Sequence, residues 1–204
     1  MRLLILGATG GTGVQLVKQA LERGHQVTAF VRSPDKVKRS NGNLKVVAGD
    51  LRDTGQLRNV LPGHDVVLSS MGYRGLGRTS IRAGCAESTV DAMSEVGIRR
   101  LLVVSAALLF DNIGFPAWVL RHLVLRNVAR DCSGMERIVG ASKLDWTIVR
   151  PPRLTNGSRK EHYRIEDGRL PKRGFHISRA DVAHFMLNEV EKPHHIRKVV
   201  GVCD

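Results

Sequence analysis

Apolar residues fall along the chain in short runs separated by segments with helical spacing or helix punctuation. Leu3-Leu4-Ile5-Leu6, His25 to Val31, Leu44 to Ala48, Asp65 to Ser70, Leu101 to Ser105, Asp145 to Val149 and Lys198 to Val202 have the length and content of strands. Val66-Val67-Leu68 is apolar without alternation, as a strand covered by helices on both faces must be. Between the first two runs, Val14, Val17, Ala20 and Leu21 share one helical face, and Gly24 suits the position just past the helix end. Ser33-Pro34-Asp35 opens a short helix that stops before Asn41-Gly42-Asn43. Asp53 caps another, with Leu57, Val60 and Leu61 inward and Pro62-Gly63 beyond it. A third runs from about Ser80 to Val96 and ends at Gly97, and a last one starts at Ser178 with Asp181 completing an approximate capping box. Strand and helix alternating in this way, joined by right-handed crossovers, predict one α/β domain over residues 1–204. Its sheet is expected to be mostly parallel and doubly wound, with six or seven strands in order 3-2-1-4-5-6 and the seventh beside the sixth.

The first run passes directly into Gly7-Ala8-Thr9-Gly10-Gly11-Thr12-Gly13. Gly7 permits the bend, Gly10 lets backbone N–H groups approach a pyrophosphate, and Gly13 lets the helix close on the sheet. The helix start adds free N–H groups and partial positive charge, so Gly7, Thr9, Gly10, Gly11, Thr12 and Gly13 are assigned to a dinucleotide. At the end of the second strand stands Arg32, where an Asp or Glu would hold the 2′-OH of NAD. A guanidinium pairs bidentately with a 2′-phosphate, with Ser33 and Lys36 close by, so the expected cofactor is NADP(H). Asp50 and Leu51, Met71 and Gly72, Ser105, and Pro151 end the third to sixth strands, on the edge where open α/β sheets bind ligands, and complete the expected cofactor contacts.

Charge widens the picture only a little. Lys and Arg total 32 against 19 Asp and Glu, a formal +13. Basic residues are scattered, aromatic residues make up 4%, and no recognition helix or base-stacking motif appears, which favours an anionic cofactor and substrate over nucleic acid. Cys85, Cys132 and Cys203 form no paired or metal-binding spacing, so no metal site is expected. No apolar run reaches membrane-span length, and Met1-Arg2 leads straight into the first strand; a cytoplasmic monomer or homodimer is expected.

The glycine turn, Val31-Arg32, Gly49-Asp50, Ser105-Ala106, Trp146-Thr147-Ile148-Val149-Arg150-Pro151 and Ile177-Ser178-Arg179-Ala180-Asp181-Val182-Ala183 together resemble the atypical short-chain dehydrogenase/reductases over essentially the whole chain. Within that group the chain resembles the NmrA-like and biliverdin reductase B (flavin reductase) branch. The resemblance implies a Rossmann-type fold, an NADPH-dependent oxidoreductase and a functional serine at Ser105. Two departures matter. The Tyr-x-x-x-Lys pair of the wider superfamily is missing, since neither Tyr73 nor Tyr163 has a lysine four positions on. Arg153 stands where biliverdin reductase B has a histidine, and Phe110 to Lys143 is longer than in that family.

Without the tyrosine, hydride delivery to a ketone would leave an alkoxide without its acid, whereas a flavin, a biliverdin-like tetrapyrrole or a quinone spreads the charge through conjugation. A flat, anionic, conjugated acceptor is therefore expected, with Ser105 donating to the carboxamide of the cofactor or to the acceptor. Arg153, with Arg159, Lys160 and Arg173, is the candidate for substrate charge in a substrate-side segment over 153–175. Phe115 to Val128 is apolar around most of its circumference and is expected to be buried, to cover the substrate pocket or to meet another chain. It contributes Trp118 and His122 as substrate-binding candidates. The alternative function is an NmrA-like sensor that binds NADP(H) and changes its protein contacts without turnover.

Overall fold

The computed structural model describes the chain except residues 38–41, 73, 74, 76, 78, 113, 115–118 and 120. Arg2–Leu6 (β1) is buried from its second residue on, which puts it at the centre of the sheet. Around it lie Gln26–Val31 (β2), Leu44–Ala48 (β3), Val66–Ser69 (β4), Arg100–Val104 (β5), Asp145–Arg150 (β6), and, from the second half of the chain, Arg153–Thr155 (β7), Arg164–Asp167 (β8), His176–Ser178 (β9) and Lys198–Cys203 (β10). The main sheet runs β3-β2-β1-β4-β5-β6-β10-β8, parallel except for β8, which lies antiparallel to β10; β7 and β9 form a separate parallel pair. The expected order holds through the sixth strand, and β10 is the seventh beside it.

The eighth strand and β7 come from the substrate-side segment 153–175, and β9 lies just beyond it, none of the three among the expected strands. The reason is compositional. Arg164-Ile165-Glu166-Asp167 is an edge strand with only Ile165 apolar, so it shows none of the alternation that marks a half-buried strand.

Helices cover both faces. Gly11–Glu22 (α1) and Arg179–Glu191 (α5) pack with Leu3, Ile5, Ala29, Leu68 and Val149 on one side. Thr54–Val60 (α2), Ile81–Val96 (α3) and Arg126–Ala141 (α4) pack with Leu4, Leu6, Phe30, Val103 and Ile148 on the other. Their ends follow the sequence signals. Gly24 (φ 76°) donates to Leu21 O and Gly97 (φ 85°) ends α3, both in the left-handed conformation glycine adopts freely. Asp53 Oδ1 accepts from Gln56 N at 3.0 Å, a cap contributing about 1 kcal/mol. Ser178 Oγ accepts from Asp181 N at 2.9 Å. The start of α3 is capped from outside its own sequence: buried Asp131 of α4 takes the N–H groups of Arg82 and Ala83.

Three expectations shift. Val14 is 44% exposed, because Gly13 closes on the turn and sets the inward face of α1 at Gly13, Leu16, Val17 and Ala20. After Ser33 there is a single 3-10 turn, Pro34–Lys36, Val37 is already extended, and the rest of the expected helix lies outside the described residues. Within the apolar stretch residues 119 and 121–123 are helical ahead of α4, and Leu123 is 77% exposed, so of the three expected fates full burial within the chain is the one that does not hold.

Candidate functional site

The glycine turn joins β1 to α1 at the carboxyl edge of the sheet. Gly7 has φ 79°, Gly10 N donates to Gly7 O at 3.0 Å, and a Cβ on Gly13 would stand 2.0 Å from the same oxygen. The turn is therefore a cradle closed on its own backbone, with no room for side chains at its two ends. Gly10, the N-cap of α1, is extended and supplies no side-chain cap, and the first turn of α1 has no acidic residue. Free N–H groups and an uncompensated positive helix end are what a dinucleotide pyrophosphate requires, so the residues present fit that group. Thr9 is exposed at the rim of the turn and Thr12 is buried.

Arg32 follows β2 at the same edge and is exposed, with Ser33 half-buried beside it. Asp50, at the end of β3, lies close enough to feel its charge, but the Asp50 carboxylate is held by Arg52, whose guanidinium approaches to 2.9 Å. Hydrogen bonds from the Arg52 side chain and backbone hold the Asp50 carboxyl below the usual carboxylate range. Arg52 thus pairs with a carboxylate that lies near Arg32, a role that reading the strand end alone missed. Leu51 is core, with its side chain in the α2 and α3 layer. Gly49 packs so closely under Phe30 that a Cβ would stand 2.2 Å from its ring.

Met71 and Gly72 follow β4; Met71 is half-buried against the second core layer, and the turn backbone at Ser70 touches Gly7. Next along the edge is Ser105, just beyond β5 and nearly buried. Its N–H bonds Val149 O at 2.7 Å, and Ala107 N bonds Pro151 O at 2.9 Å, so the ends of β5 and β6 stay zipped past the strands. Ser105 Oγ donates to Glu136 Oε1 on α4, and Arg150 Nε donates to the same oxygen at 2.9 Å while Nη2 holds Oε2. The Arg150 guanidinium lies 4.6 Å from the Phe110 ring centroid. Cys132, one helical turn before Glu136, is buried, and burial pushes its thiol up.

In this arrangement the Ser105 hydroxyl is already engaged within the chain. Its one proton is committed to a carboxylate, so toward a ligand the hydroxyl oxygen is left as an acceptor. Glu136 and Arg150 were not among the expected site residues. Arg150 was visible as the end of a strand, but nothing in the spacing ties it to a glutamate on the preceding helix.

The substrate candidates fare unevenly. Arg153 is exposed on β7, beyond Pro151 and Pro152, and His122 is exposed on the far side of the apolar stretch. Trp118 and Tyr73 lie outside the described residues. Tyr163 bonds His184 Nδ1 at 2.9 Å and packs with the α1 and α5 layer, on the sheet face opposite to Glu136, and burial pushes its hydroxyl up to about 12. A cavity of about 20 Å³ under the edge, lined by Ser69, Met71, Arg82 and Val103, holds a water-sized guest and no acceptor. A larger one, about 370 Å³, lies at the opposite sheet edge among Arg2, Thr28, Lys45 and His64, away from the glycine turn. Among the described residues no group of His, Cys, Asp and Glu could hold a metal, and no helix is long and apolar enough to cross a membrane.

A family described as NAD(P)H-binding matches residues 7–193, from the first glycine of the cradle to the end of α5 and just beyond. The chain belongs to this NAD(P)H-binding family. It is 25% identical to the protein YwnB of Bacillus subtilis over 96% of this chain and 94% of that one. It is 26% identical to the photosystem II assembly factor Ycf39 of Synechocystis, covering 73% of this chain and 44% of the longer relative. Among solved structures, a Burkholderia pseudomallei protein proposed to be exported superposes with TM-score 0.83 at 28% identity over the whole of both chains. A Veillonella parvula short-chain dehydrogenase/reductase in complex with NADP has TM-score 0.76 at 20% identity, covering 100% of this chain and 94% of that one, a likeness of fold. As a member of the NAD(P)H-binding family, the chain has an oxidoreductase-like Rossmann fold.

Proposed function

We propose that the chain is an NADPH-dependent reductase that passes hydride to a flat conjugated acceptor of the flavin or tetrapyrrole kind, quinones included. The observation that carries this reading is the environment of Ser105. The helix after β5, where the wider superfamily has its tyrosine and lysine, presents Glu136 to the serine, with buried Cys132 one helical turn before it. The carboxylate accepts from Ser105 and Arg150 at once, so it has no proton to give. NADPH, when bound, supplies the hydride. Ser105 Oγ, fixed by Glu136, accepts from an N–H donor and orients it, and the proton that balances the reaction comes from water because conjugation holds the charge meanwhile.

Arg32 supports NADPH over NADH, since its guanidinium is exposed at the strand end with its carboxylate neighbour already taken by Arg52. Arg153 is assigned to acceptor charge. The Streptococcus pneumoniae protein whose NADH-flavin reductase activity is itself a proposal shares the fold, with TM-score 0.79 at 24% identity. The second reading, an NADP(H) sensor without turnover, draws on the exposed Leu123 and Val124, which would suit a protein contact.

The test is to follow NADPH absorbance while offering FMN, riboflavin, biliverdin and simple quinones. Oxidation above background with at least one of them is expected. Tight NADPH binding with no oxidation by any acceptor would leave the sensor as the better account.

A further inference from the structure

Gly11 differs from the other glycines of the cradle. A Cβ on Gly13 would meet backbone, but a Cβ on Gly11 would meet the side chain of Arg179, 2.6 Å from Cδ and 2.7 Å from Nε. Arg179 opens α5, and its side chain reaches across to lie on the first residue of α1. The absent side chain at Gly11 makes room for an arginine from the far end of the chain.

The charges there do not balance. Arg179 Nη1 donates to Asn156 Oδ1 at 2.7 Å and to Leu154 O at 3.4 Å, both neutral acceptors. Among the described residues Arg179 forms no ion pair with a carboxylate, although the chain's other ion pairs engage many of its arginines. A cation laid against the positive end of a helix is unfavourable unless an anion is shared between them. The first turn of α1 carries no acidic side chain to serve. Nε and Nη2 of the guanidinium have no partner among the described residues, in a planar fork suited to phosphate oxygens.

We propose that Arg179 is a ligand of the cofactor pyrophosphate, closing over the anion from the side opposite the N–H groups of the glycine turn. The inference rests on the glycine turn being the cofactor site. It divides the labour between two arginines: Arg32 meets the 2′-phosphate that only NADPH has, and Arg179 meets the pyrophosphate that NADPH and NADH share. Because Asn156 and Leu154 hold the same guanidinium, cofactor binding also steadies the segment that follows Arg153.

The test is calorimetric titration of the full chain with NADPH, NADH and 2′,5′-ADP, which has the 2′-phosphate but no pyrophosphate. Arg179→Ala should weaken NADPH and NADH alike by about ten- to a hundredfold, and 2′,5′-ADP by much less. Gly11→Ala, which displaces the arginine without touching backbone, should give the same pattern with an unchanged melting temperature. Arg179→Gln keeps the bond to Asn156 and carries the test if the alanine variant fails to fold. Unchanged binding of both dinucleotides by Arg179→Gln or Arg179→Ala would overturn the proposal, leaving Arg179 a tether between α5 and residues 154–156. A native protein that binds neither dinucleotide would overturn it together with the cofactor site. Equal native affinity for NADPH and NADH, with both weakened by Arg179→Ala, would support Arg179 and overturn only the NADPH preference.

Discussion

The two halves of the carboxyl edge are built on different principles. Around residues 7–13 the site is backbone: a bent glycine turn, a helix end without a cap, and glycines whose missing side chains are required by contacts as close as 2.0 Å. Around Ser105 it is side chains: a hydroxyl, a carboxylate and a guanidinium from β5, α4 and β6, locked to one another. The first half can hold the same part of any dinucleotide, because it reads phosphate through groups every residue possesses. In the proposed reaction the second decides the chemistry, because it governs which proton can move.

The two halves should therefore break differently, and most severely where a charge is stranded. Glu136→Ala leaves Arg150, only 16% exposed at its side chain, without its partner, and should cost about 3–5 kcal/mol by denaturant unfolding. Glu136→Gln, which can still accept from Ser105, should fold better while orienting Ser105 less firmly. Next is the cradle: Gly13→Ala forces a methyl against the Gly7 carbonyl and should cost on the order of 3 kcal/mol, seen as a lower melting temperature together with lost NADPH binding. If that variant bound NADPH normally, the backbone half would not be the cofactor site.

Arg32→Ala spares the fold and should weaken NADPH by about ten- to a hundredfold, roughly 1.5–3 kcal/mol, with NADH little changed; calorimetry of both nucleotides checks it. The smallest effects belong to exposed side chains on the acceptor side. Arg153→Ala should raise KM for anionic FMN by about tenfold at most and hardly alter neutral riboflavin, and His122→Ala should leave both within about twofold in steady-state kinetics.

The same contrast explains what could be read from the chain beforehand. The glycine turn was legible because each of its requirements is local: Gly7 needs a positive φ, Gly13 a close approach, and both stand within a few residues of the strand they serve. Strand order through the sixth strand was legible for the same reason, from apolar runs and helix caps such as Asp53 and Ser178. Ser105 could be found, but not its role, since Glu136 and Arg150 approach it from elements that no spacing rule connects. Arg179 was hidden likewise, its partner Gly11 lying at the other end of the chain. The edge strand Arg164–Asp167 was missed because its side chains are polar but for Ile165 and carry no period, although its backbone pairs with β10 and Asp167 meets Lys198 of that strand.

The central claim is that no protein acid accompanies hydride transfer at Ser105. Its most direct test is the single-turnover rate of NADPH oxidation by riboflavin, which carries no phosphate to titrate, followed as a function of pH. The account predicts a rate that is flat across the neutral range in the native protein, lowered but still flat in Ser105→Ala. A bell-shaped profile in the native protein that collapses in Ser105→Ala or Glu136→Gln would contradict it, and would place a proton donor where the structure has an acceptor.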